Sequence, residues 1–286
     1  MKAFTEPLKE LGEFLEIKNA LKKRSVQIAG CIDAQKAHFV YAVGEAHKKK
    51  LIVTYSELRA KEIYENYRLF DKNVMLYPAK DLIFYSADVQ SNLLVQQRIQ
   101  VLKSLLESDN VTVITSMGGV MDHLLPMELF AEQIETVTND AVFDPEAWKK
   151  KLVSMGYERV AQVEGGGQFA VRGGIFDIFP LTEDNPVRIE LWGDEVDSIR
   201  SFDVESQRSI ENLDAIRIYP ASEFIAEDER IQWGISRMER EAEKLARKFR
   251  QEMKTEEAYR LKTMVAEVRA NLEDLQCMAA FNGLVN

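Results

Sequence analysis

The chain has 286 residues, of which 46% are hydrophobic and 29% are charged, and its formal net charge is −10. A chain of this length is expected to form two or three compact units, and its apolar content is sufficient to build their cores. Because non-specific nucleic-acid binding depends on Lys and Arg neutralising phosphates, the acidic balance argues against DNA binding by this chain alone.

The sequence carries no recognisable targeting or membrane signal. Charged residues interrupt residues 1–23 throughout, so we expect no signal peptide there. No stretch approaches about 18 apolar residues without a charge, so we expect no membrane span and no membrane partner. Cys31 and Cys277 are too few and too far apart for a disulfide framework or a cysteine-based zinc site. These features predict a cytoplasmic protein.

Helices and strands alternate in the first part of the chain. The pattern predicts strands at Ser25–Ala29, Leu51–Thr54, Val74–Tyr77 and Val111–Thr115. It predicts helices at Leu8–Leu21, Ala34–Ala46, Glu57–Phe70, Val89–Glu107 and Met117–His123. Strands separated by helices form a parallel sheet that helices cover on both faces, so the predicted fold class is α/β.

A degenerate phosphate-binding loop follows the first of these strands. Gly30 and Lys36 match the P-loop pattern Gly-x-x-x-x-Gly-Lys-Ser/Thr. Gln35 replaces the second glycine and brings a side chain where the backbone must curl around phosphate, and Ala37 replaces the hydroxyl that holds Mg²⁺. We therefore predict that the loop is non-functional, that the chain has no cofactor, and that it is not an enzyme. A nucleotide-binding module is the alternative.

Other catalytic and metal sites are not predicted. His38 and His47 are nine positions apart on one predicted helix, so they lie on roughly opposite sides of it, and His123 is the remaining histidine. No Gly-x-Ser-x-Gly nucleophile elbow occurs in the sequence. We therefore predict neither a catalytic residue nor a metal ligand.

Near Leu125 the pattern changes to that of a small α+β unit. Asp144 is a good helix N-cap, and the proline after it begins a helix predicted to run to Met155. Short strands separated by glycine or proline turns follow, up to about Phe202.

The last part of the chain is predicted to be mostly helical. A strand at Ala215–Tyr219 is followed, beyond Glu223, by a heavily charged helical run to Ala280. Pairs such as Glu243–Arg247 and Glu256–Arg260 have the spacing of helical ion pairs. Such charge patterns are typical of a solvated helix face.

Residues Gly156–Pro180 are predicted to form a β-hairpin that presents arginines. If residues 164–167 form its turn, Arg159 lies opposite Arg172, and two like charges directly across a sheet are destabilising. A docking surface for an acidic partner would account for both arginines.

Alternation along the second strand assigns its side chains to two faces. One face would be core, and the other would carry Ala170, Arg172, Gly174, Phe176 and Ile178. We predict that Phe176 is at least partly exposed, and that Gly174 leaves a gap between it and Arg172. An aromatic ring beside guanidinium groups is typical of binding hot spots. The alternative is that the arginines are ordinary surface residues and that Phe176 covers a second small core.

Several segments between Gly156 and Pro220 resemble a known family. In chain order they are Gly156-Tyr157, Phe169–Gly174, Asp177–Pro180, Arg188–Trp192, Asp194–Arg200, Phe202-Asp203 and Ser206–Arg208. Together they resemble the second domain of the nucleotide-excision-repair protein UvrB, in the version carried by the bacterial transcription-repair coupling factors (Mfd). The resemblance covers essentially the whole chain and is weakest in the last helices.

This resemblance implies a fold and a domain division. The fold would be a degenerate RecA-like parallel-sheet domain split by an inserted small α+β domain. Residues 1–122 would form the first part of the RecA-like domain, and residues 123–208 the inserted UvrA-binding domain. Residues 209–286 would be a mostly helical return segment that packs on the first domain and is cut off before the polymerase-binding and motor domains.

The resemblance also implies a function. The chain would be a non-catalytic module of the bacterial cytoplasm that recruits UvrA to a stalled RNA polymerase in transcription-coupled nucleotide excision repair. Its UvrA contacts would be Arg159, Arg172, Gly174 and Phe176, and the same surface would make an autoinhibitory contact with the full-length protein's C-terminal region. RNA polymerase and DNA would bind only to absent domains, in a full-length protein that is an ATP-dependent DNA translocase. A DNA-binding module is a further alternative.

Calorimetric titration with ATP tests the phosphate-binding loop. We expect no saturable binding in the micromolar range, because the loop lacks both the second glycine and the hydroxyl that holds Mg²⁺. Saturable micromolar binding would show that the loop is functional and would favour the nucleotide-binding alternative.

Overall fold

The structure is a computed structural model that describes residues 2–80, 88–122, 124–223 and 228–273. The chain divides into two compact units, Met1–His123 and Leu124–Asn286, and each is described by itself. Within the described residues, no helix is both long enough and apolar enough to cross a bilayer. The end of the predicted helical run, from residue 274 onwards, lies outside the described residues.

The first unit combines helices with a parallel sheet. Its elements are α1 (Lys2–Lys9), α2 (Gly12–Leu21), α3 (Asp33–Gly44), β1 (Lys49–Thr54), α4 (Glu57–Tyr67), β2 (Val74–Tyr77), α5 (Asp88–Glu107), β3 (Val111–Ser116) and α6 (Met117–Met121). Among its described residues, the strands form a three-stranded parallel sheet in the order β1-β3-β2. The predicted parallel sheet is therefore confirmed.

Two local predictions for this unit are wrong. Residues Ser25–Ala29 form no strand, and Ile28 is exposed. The segment has β-forming residues, but a strand also needs a neighbour to satisfy its backbone, and the described sheet does not extend to it. The helix predicted at Leu8–Leu21 is interrupted at residues 10–11, between α1 and α2.

Strand β3 is the centre of the first unit, and all six of its residues are buried. On one face, Ile114 packs in a cluster with Tyr67 of α4. On the other face, Val113 packs in a cluster with Val101 of α5. A parallel strand that helices cover on both faces is buried along its whole length, and here that burial includes Thr112, Thr115 and Ser116.

The second unit is an α+β arrangement. Its elements are α7 (Met127–Glu132), β4 (Glu135–Thr138), α8 (Pro145–Ser154), β5 (Glu158–Arg159), β6 (Gln168–Arg172), β7 (Ile175–Ile178), β8 (Val187–Trp192), β9 (Glu195–Phe202), β10 (Ser209–Leu213), β11 (Ala215–Ile218), α9 (Asp228–Gln251) and α10 (Thr255–Glu273). In the part of the chain that is described, six strands form one sheet in the order β10-β9-β8-β7-β6-β5, and β11 pairs with β4. Strand β5 runs parallel to β6, and the other pairs are antiparallel.

Helix α8 packs on this sheet through a cluster of aromatic rings. The predicted N-cap is confirmed, since the Asp144 carboxylate accepts hydrogen bonds from the backbone N–H groups of Glu146 (2.9 Å) and Ala147 (3.2 Å). Phe143 stacks on Trp148 of α8 at 4.7 Å between ring centroids and meets Phe176 of β7 edge-on at 4.9 Å. The ring of Phe143 therefore lies between the helix and the sheet.

Helices α9 and α10 pack against each other. The two ion pairs predicted along them are formed, Glu243–Arg247 at 3.6 Å and Glu256–Arg260 at 2.7 Å. Glu239 and Arg269 join the two helices at 2.8 Å. All of these groups are exposed or half-exposed, so each pair contributes little to stability.

The segment after β11 is fastened to the end of α8 by two hydrogen bonds. The Tyr157 hydroxyl donates to the carbonyl of Tyr219 at 2.7 Å, and the Ala221 N–H donates to the carbonyl of Met155 at 2.9 Å. Complete burial raises the pKa of Tyr157 well above its ordinary value, so the hydroxyl keeps its proton as a donor. These contacts bring two segments that are distant in sequence together beside the sheet.

Gly156 is required where these two segments meet. Its φ is +92°, and a Cβ there would lie 2.5 Å from the Cβ of Ser222 and 3.1 Å from its backbone nitrogen. We expect Gly156→Ala to lower the free energy of unfolding by about 2 kcal/mol or more, from backbone strain and the clash together. Urea denaturation followed by circular dichroism measures this change.

Gly165→Ala is the matched control for Gly156→Ala. A Cβ at Gly165 would meet nothing within 4 Å, and its φ is not in the left-handed region. We expect the control to change stability by less than about 1 kcal/mol. Equal stability of the Gly156 variant and the wild type would show that Ser222 does not approach this closely.

Candidate protein-docking face

The hairpin that carries the predicted site differs from the one expected from sequence. Arg159 of β5 pairs with Phe169 in a parallel register and does not lie opposite Arg172. The tight reversal is instead the two-residue turn Gly173-Gly174 between β6 and β7, in which Gly173 has a φ of +61°. Two-residue hairpin loops favour glycine at such positions. The hairpin turn is therefore at residues 173–174, and the prediction that it is at residues 164–167 is wrong.

Because of this turn, the side chains of β7 lie on the faces of the sheet opposite to those predicted. Val171 pairs with Phe176 and Arg172 pairs with Ile175, and directly paired residues share a face. Phe176 therefore points to the core together with Val171, whereas Ile175 joins Arg172 on the other face. The prediction assumed one uninterrupted strand, in which Arg172 and Phe176, four residues apart, would share a face.

Phe176 is 0% exposed, so the prediction that it is partly exposed is wrong. Its ring meets Phe143 and belongs to the core between α8 and the sheet. The alternative, in which Phe176 covers a core, describes its position. Because the Phe176 side chain is inaccessible to a partner, it would affect partner binding only by supporting the fold of the sheet.

The opposite side of the sheet is polar, and we call it the arginine face. Its members are Ala170, Arg172, Ile175, Asp177, Arg188, Glu190, Trp192, Ser198 and Arg200. Register and strand alternation place them on one side, and hydrogen bonds between neighbouring strands confirm the arrangement. The predicted outward direction of Arg172 is confirmed.

Asp177 lies at the centre of the arginine face and is only 1% exposed. Arg188 binds its carboxylate through two hydrogen bonds, Nε to Oδ1 at 2.6 Å and Nη2 to Oδ2 at 2.8 Å. Arg172 adds a third, from Nη2 to Oδ2 at 2.7 Å. A buried carboxylate needs such charged, hydrogen-bonded partners, and paired hydrogen bonds from one guanidinium are among the strongest.

Arg188 is itself held from several sides. The hydrogen bonds that Arg188 donates to the Asp177 carboxylate raise the pKa of Arg188 above its ordinary value, so the guanidinium stays charged. Its Nη2 also donates to the Gln207 side chain at 3.1 Å, and its guanidinium lies 4.5 Å from the ring centroid of Phe202. Arg188 is therefore part of the structure and has little freedom to bind a partner.

Arg172 is the arginine of this cluster that faces solvent, because 49% of its side chain is exposed. Its Nη2 donates to Asp177, and the rest of the side chain is held beside that carboxylate at the surface. Arg159 is also exposed, but it lies on the edge strand β5 and pairs with Phe169, whose side chain belongs to the core side of the sheet. Because directly paired residues share a face, register places Arg159 on the opposite side of the sheet from Arg172. The structure therefore does not bring the two predicted arginines together on one face.

Gly174 closes the hairpin against β8, and no gap lies there. The Leu191 N–H donates to the Gly174 carbonyl at 2.8 Å, and a Cβ on Gly174 would lie 3.2 Å from the carbonyl oxygen of Leu191. The predicted gap between Arg172 and Phe176 is therefore wrong. The glycine permits a close approach of two strands, and the arginine face continues across it.

The exposed aromatic residue of this face is Trp192, which sequence reasoning did not single out. It is 84% exposed at the end of β8 and pairs with Glu195, which in turn bridges to Val142, 81% exposed. Arg188, Glu190 and Trp192 alternate along one strand, so the signal was present in the sequence. What alternation does not indicate is whether anything covers the ring.

In the predicted phosphate loop, the lysine already forms an ion pair with a neighbouring carboxylate. Lys36 lies 2.6 Å from Asp33, which also pairs with Arg59 at 2.9 Å. The hydrogen bond from Lys36 lowers the pKa of Asp33 below its ordinary value, and the nearby charges act in the same direction. Ala37 is buried, Gln35 is exposed, and Gly30 has a φ of +85°, in a segment that is not preceded by a strand. The strand-loop-helix setting of a P-loop is thus incomplete.

The described residues contain no group of three or more His, Cys, Asp or Glu side chains placed to hold a metal ion. The arginine face has one acidic group at its centre, but arginines surround that group. The chemistry that this face offers is therefore charge recognition and apolar contact.

Comparison with known proteins identifies relatives of this chain. The UvrB interaction domain family matches residues 134–224. The chain is 35% identical over 227 residues to the transcription-repair-coupling factor of Bacillus subtilis (strain 168), covering 78% of this chain and 19% of that protein. It is 34% identical over 228 residues to that of Staphylococcus epidermidis (strain RP62A), covering 79% and 19%. The corresponding values for Staphylococcus aureus (strain Mu50) are 31% over 234 residues, 80% and 20%. The chain spans about a fifth of the length of these curated relatives.

Truncation of Phe176 tests its place in the core. We expect Phe176→Ala to lower the free energy of unfolding by about 3–5 kcal/mol, because it leaves a cavity beside Phe143. Trp192→Ala, which removes an exposed ring in the same unit, should change that free energy by less than about 0.5 kcal/mol. Chemical denaturation of both variants measures the difference, and similar small losses would contradict the burial of Phe176.

Proposed function

This chain is a UvrB-like module related to the N-terminal part of the transcription-repair coupling factors, and we propose that it recruits UvrA through the arginine face. The observation that carries this proposal is the half-exposed Arg172, held by Asp177 on a surface within residues 134–224. The name of the matching family, UvrB interaction domain, supports a binding role for those residues.

The arrangement around Arg172 suits the recognition of an acidic partner. A guanidinium presents several donors in a fixed plane and can bind a carboxylate through two parallel hydrogen bonds. Because Asp177 already orients the side chain, less conformational freedom is lost when a partner binds. Arg159, the other predicted contact, is on the opposite side of the sheet by register, so it would reach the same partner only around the edge strand β5.

The module itself is proposed to be non-catalytic. The phosphate loop departs from the P-loop pattern at Gln35 and Ala37, and its lysine is paired with Asp33. In this proposal the ATP-dependent translocase activity, RNA polymerase binding and DNA binding belong to parts of the full-length protein outside this chain. The small share of the relatives that this chain spans supports that division.

We further propose how the module is built. The parallel sheet of the first unit would belong to a degenerate RecA-like domain, residues 1–122, which the α+β domain interrupts as an insertion. The end predicted for that insertion, residue 208, is too early, because β10 belongs to the six-stranded sheet and β11 pairs with β4. The central position of the matched residues 134–224 in the chain supports this reading.

Two finer points complete the proposal. The arginine face would also contact the full-length protein's own C-terminal region, which would mask it until UvrA is needed. The module would act in the bacterial cytoplasm, in transcription-coupled nucleotide excision repair. The bacterial origin of the relatives supports this placement.

Replacement of Arg172 tests the proposed function. We expect Arg172→Ala to weaken binding to purified UvrA by roughly 30-fold, or about 2 kcal/mol, as is typical of an interface arginine. The Arg188–Asp177 pair remains in this variant, so it should stay folded. Isothermal titration calorimetry measures the dissociation constant, and circular dichroism checks the fold.

Arg260→Ala is the matched control, because Arg260 is an exposed arginine on α10 that pairs with Glu256. We expect it to bind UvrA as the wild type does. Equal affinities of the Arg172 variant, the control and the wild type would remove Arg172 from the interface.

A further inference from the structure

We propose that Trp192 is the apolar anchor of the UvrA-docking face, the role that sequence reasoning gave to Phe176. This inference rests on the proposed function and assigns a new residue to the same site. It follows from where the ring lies, how much of it is exposed, and how firmly its strand end is held.

Trp192 lies at the same end of the sheet as Arg172. The turn Gly173-Gly174 follows β6, and the turn Gly193-Asp194 follows β8. Because β6 and β8 run in the same direction, both turns lie at the same end of the sheet. The Leu191–Gly174 hydrogen bond joins the two hairpins there. Two strand spacings, about 10 Å, separate β6 from β8, so one partner surface can cover both side chains.

The ring of Trp192 is part of an exposed row. Trp192, Glu195 and Val142 are direct neighbours on three adjacent segments, and each is exposed. With 84% of the residue exposed, the indole contributes little to the core. Exposed apolar groups rimmed by polar residues mark interaction sites, and Trp with Arg is the composition most enriched in binding hot spots.

The backbone around Trp192 is well fixed. The Phe143 N–H donates to the Asp194 carbonyl at 2.8 Å, and the Val196 N–H donates to the Ala141 carbonyl at 3.0 Å. These bonds attach the β8–β9 turn to the segment that leads into α8. An anchor on such a rigid support loses little freedom on binding.

The geometry defines the chemistry of the partner. UvrA would present a carboxylate to Arg172 and, about 10 Å away, an apolar recess for the indole ring. Glu195, between Trp192 and Val142, would meet a hydrogen-bond donor at the rim of that recess. All four of these residues lie within the matched residues 134–224, which favours this partner over a second copy of the chain.

Replacement of Trp192 tests the inference. We expect Trp192→Ala to weaken binding of the whole chain to purified UvrA at least 10-fold, and Trp192→Phe to retain most of the affinity. Trp233→Ala is the matched control, since Trp233 is an exposed tryptophan on α9, outside residues 134–224. Titration calorimetry gives the dissociation constants, and sedimentation gives the oligomeric state of each variant.

The possible results separate the two proposals. Weakening by Trp192→Ala with an unchanged Trp233 variant supports the anchor. Unchanged affinity of Trp192→Ala beside a weakened Arg172→Ala overturns the anchor and leaves the proposed function standing. A wild-type dimer that Trp192→Ala dissociates, with UvrA affinity unchanged, also overturns it, because a second copy would then cover the ring. Absence of wild-type binding to UvrA overturns both proposals.

Discussion

The buried carboxylate of Asp177 is the interaction on which the outer side of the sheet depends. Removing a carboxylate from water costs several kcal/mol unless charged partners surround it. Arg188 meets it from β8 and Arg172 from β6, so one charge ties three neighbouring strands together. The same charge holds the half-exposed Arg172 in place on the surface, where a partner can reach it.

The sequence predicted the elements of the fold better than it predicted the sides of the hairpin. Periodicity located β1, β2 and β3 to within a few residues, because each is a compact apolar run. Residues Ser25–Ala29 have the same local character, but strand formation depends on a distant neighbour that local composition does not reveal. Phe176 was misplaced because a two-residue turn changes which residues share a face.

The different positions of Phe176 and Trp192 show why the exposure of aromatic residues on strands is hard to predict. Both are aromatic residues on strands beside arginines, and both have the right alternation for a docking face. Phe176 meets Phe143 beneath the sheet, and Trp192 has solvent above it, a difference decided by packing from a segment about thirty to fifty residues earlier. Phe176 and Asp177 are therefore buried, whereas Arg172 is half-exposed and Trp192 is exposed.

Hydroxyl-radical footprinting with and without UvrA is the most direct measurement of where the module binds. It reports the solvent exposure of side chains. Trp192 and Ile175 mark the arginine face, Trp233 and Tyr259 mark helices α9 and α10, and Met253 marks the turn between these helices. The account predicts that UvrA protects Trp192 and Ile175 from oxidation and leaves the other three residues unchanged. Protection of those three residues with Trp192 still fully reactive would contradict it.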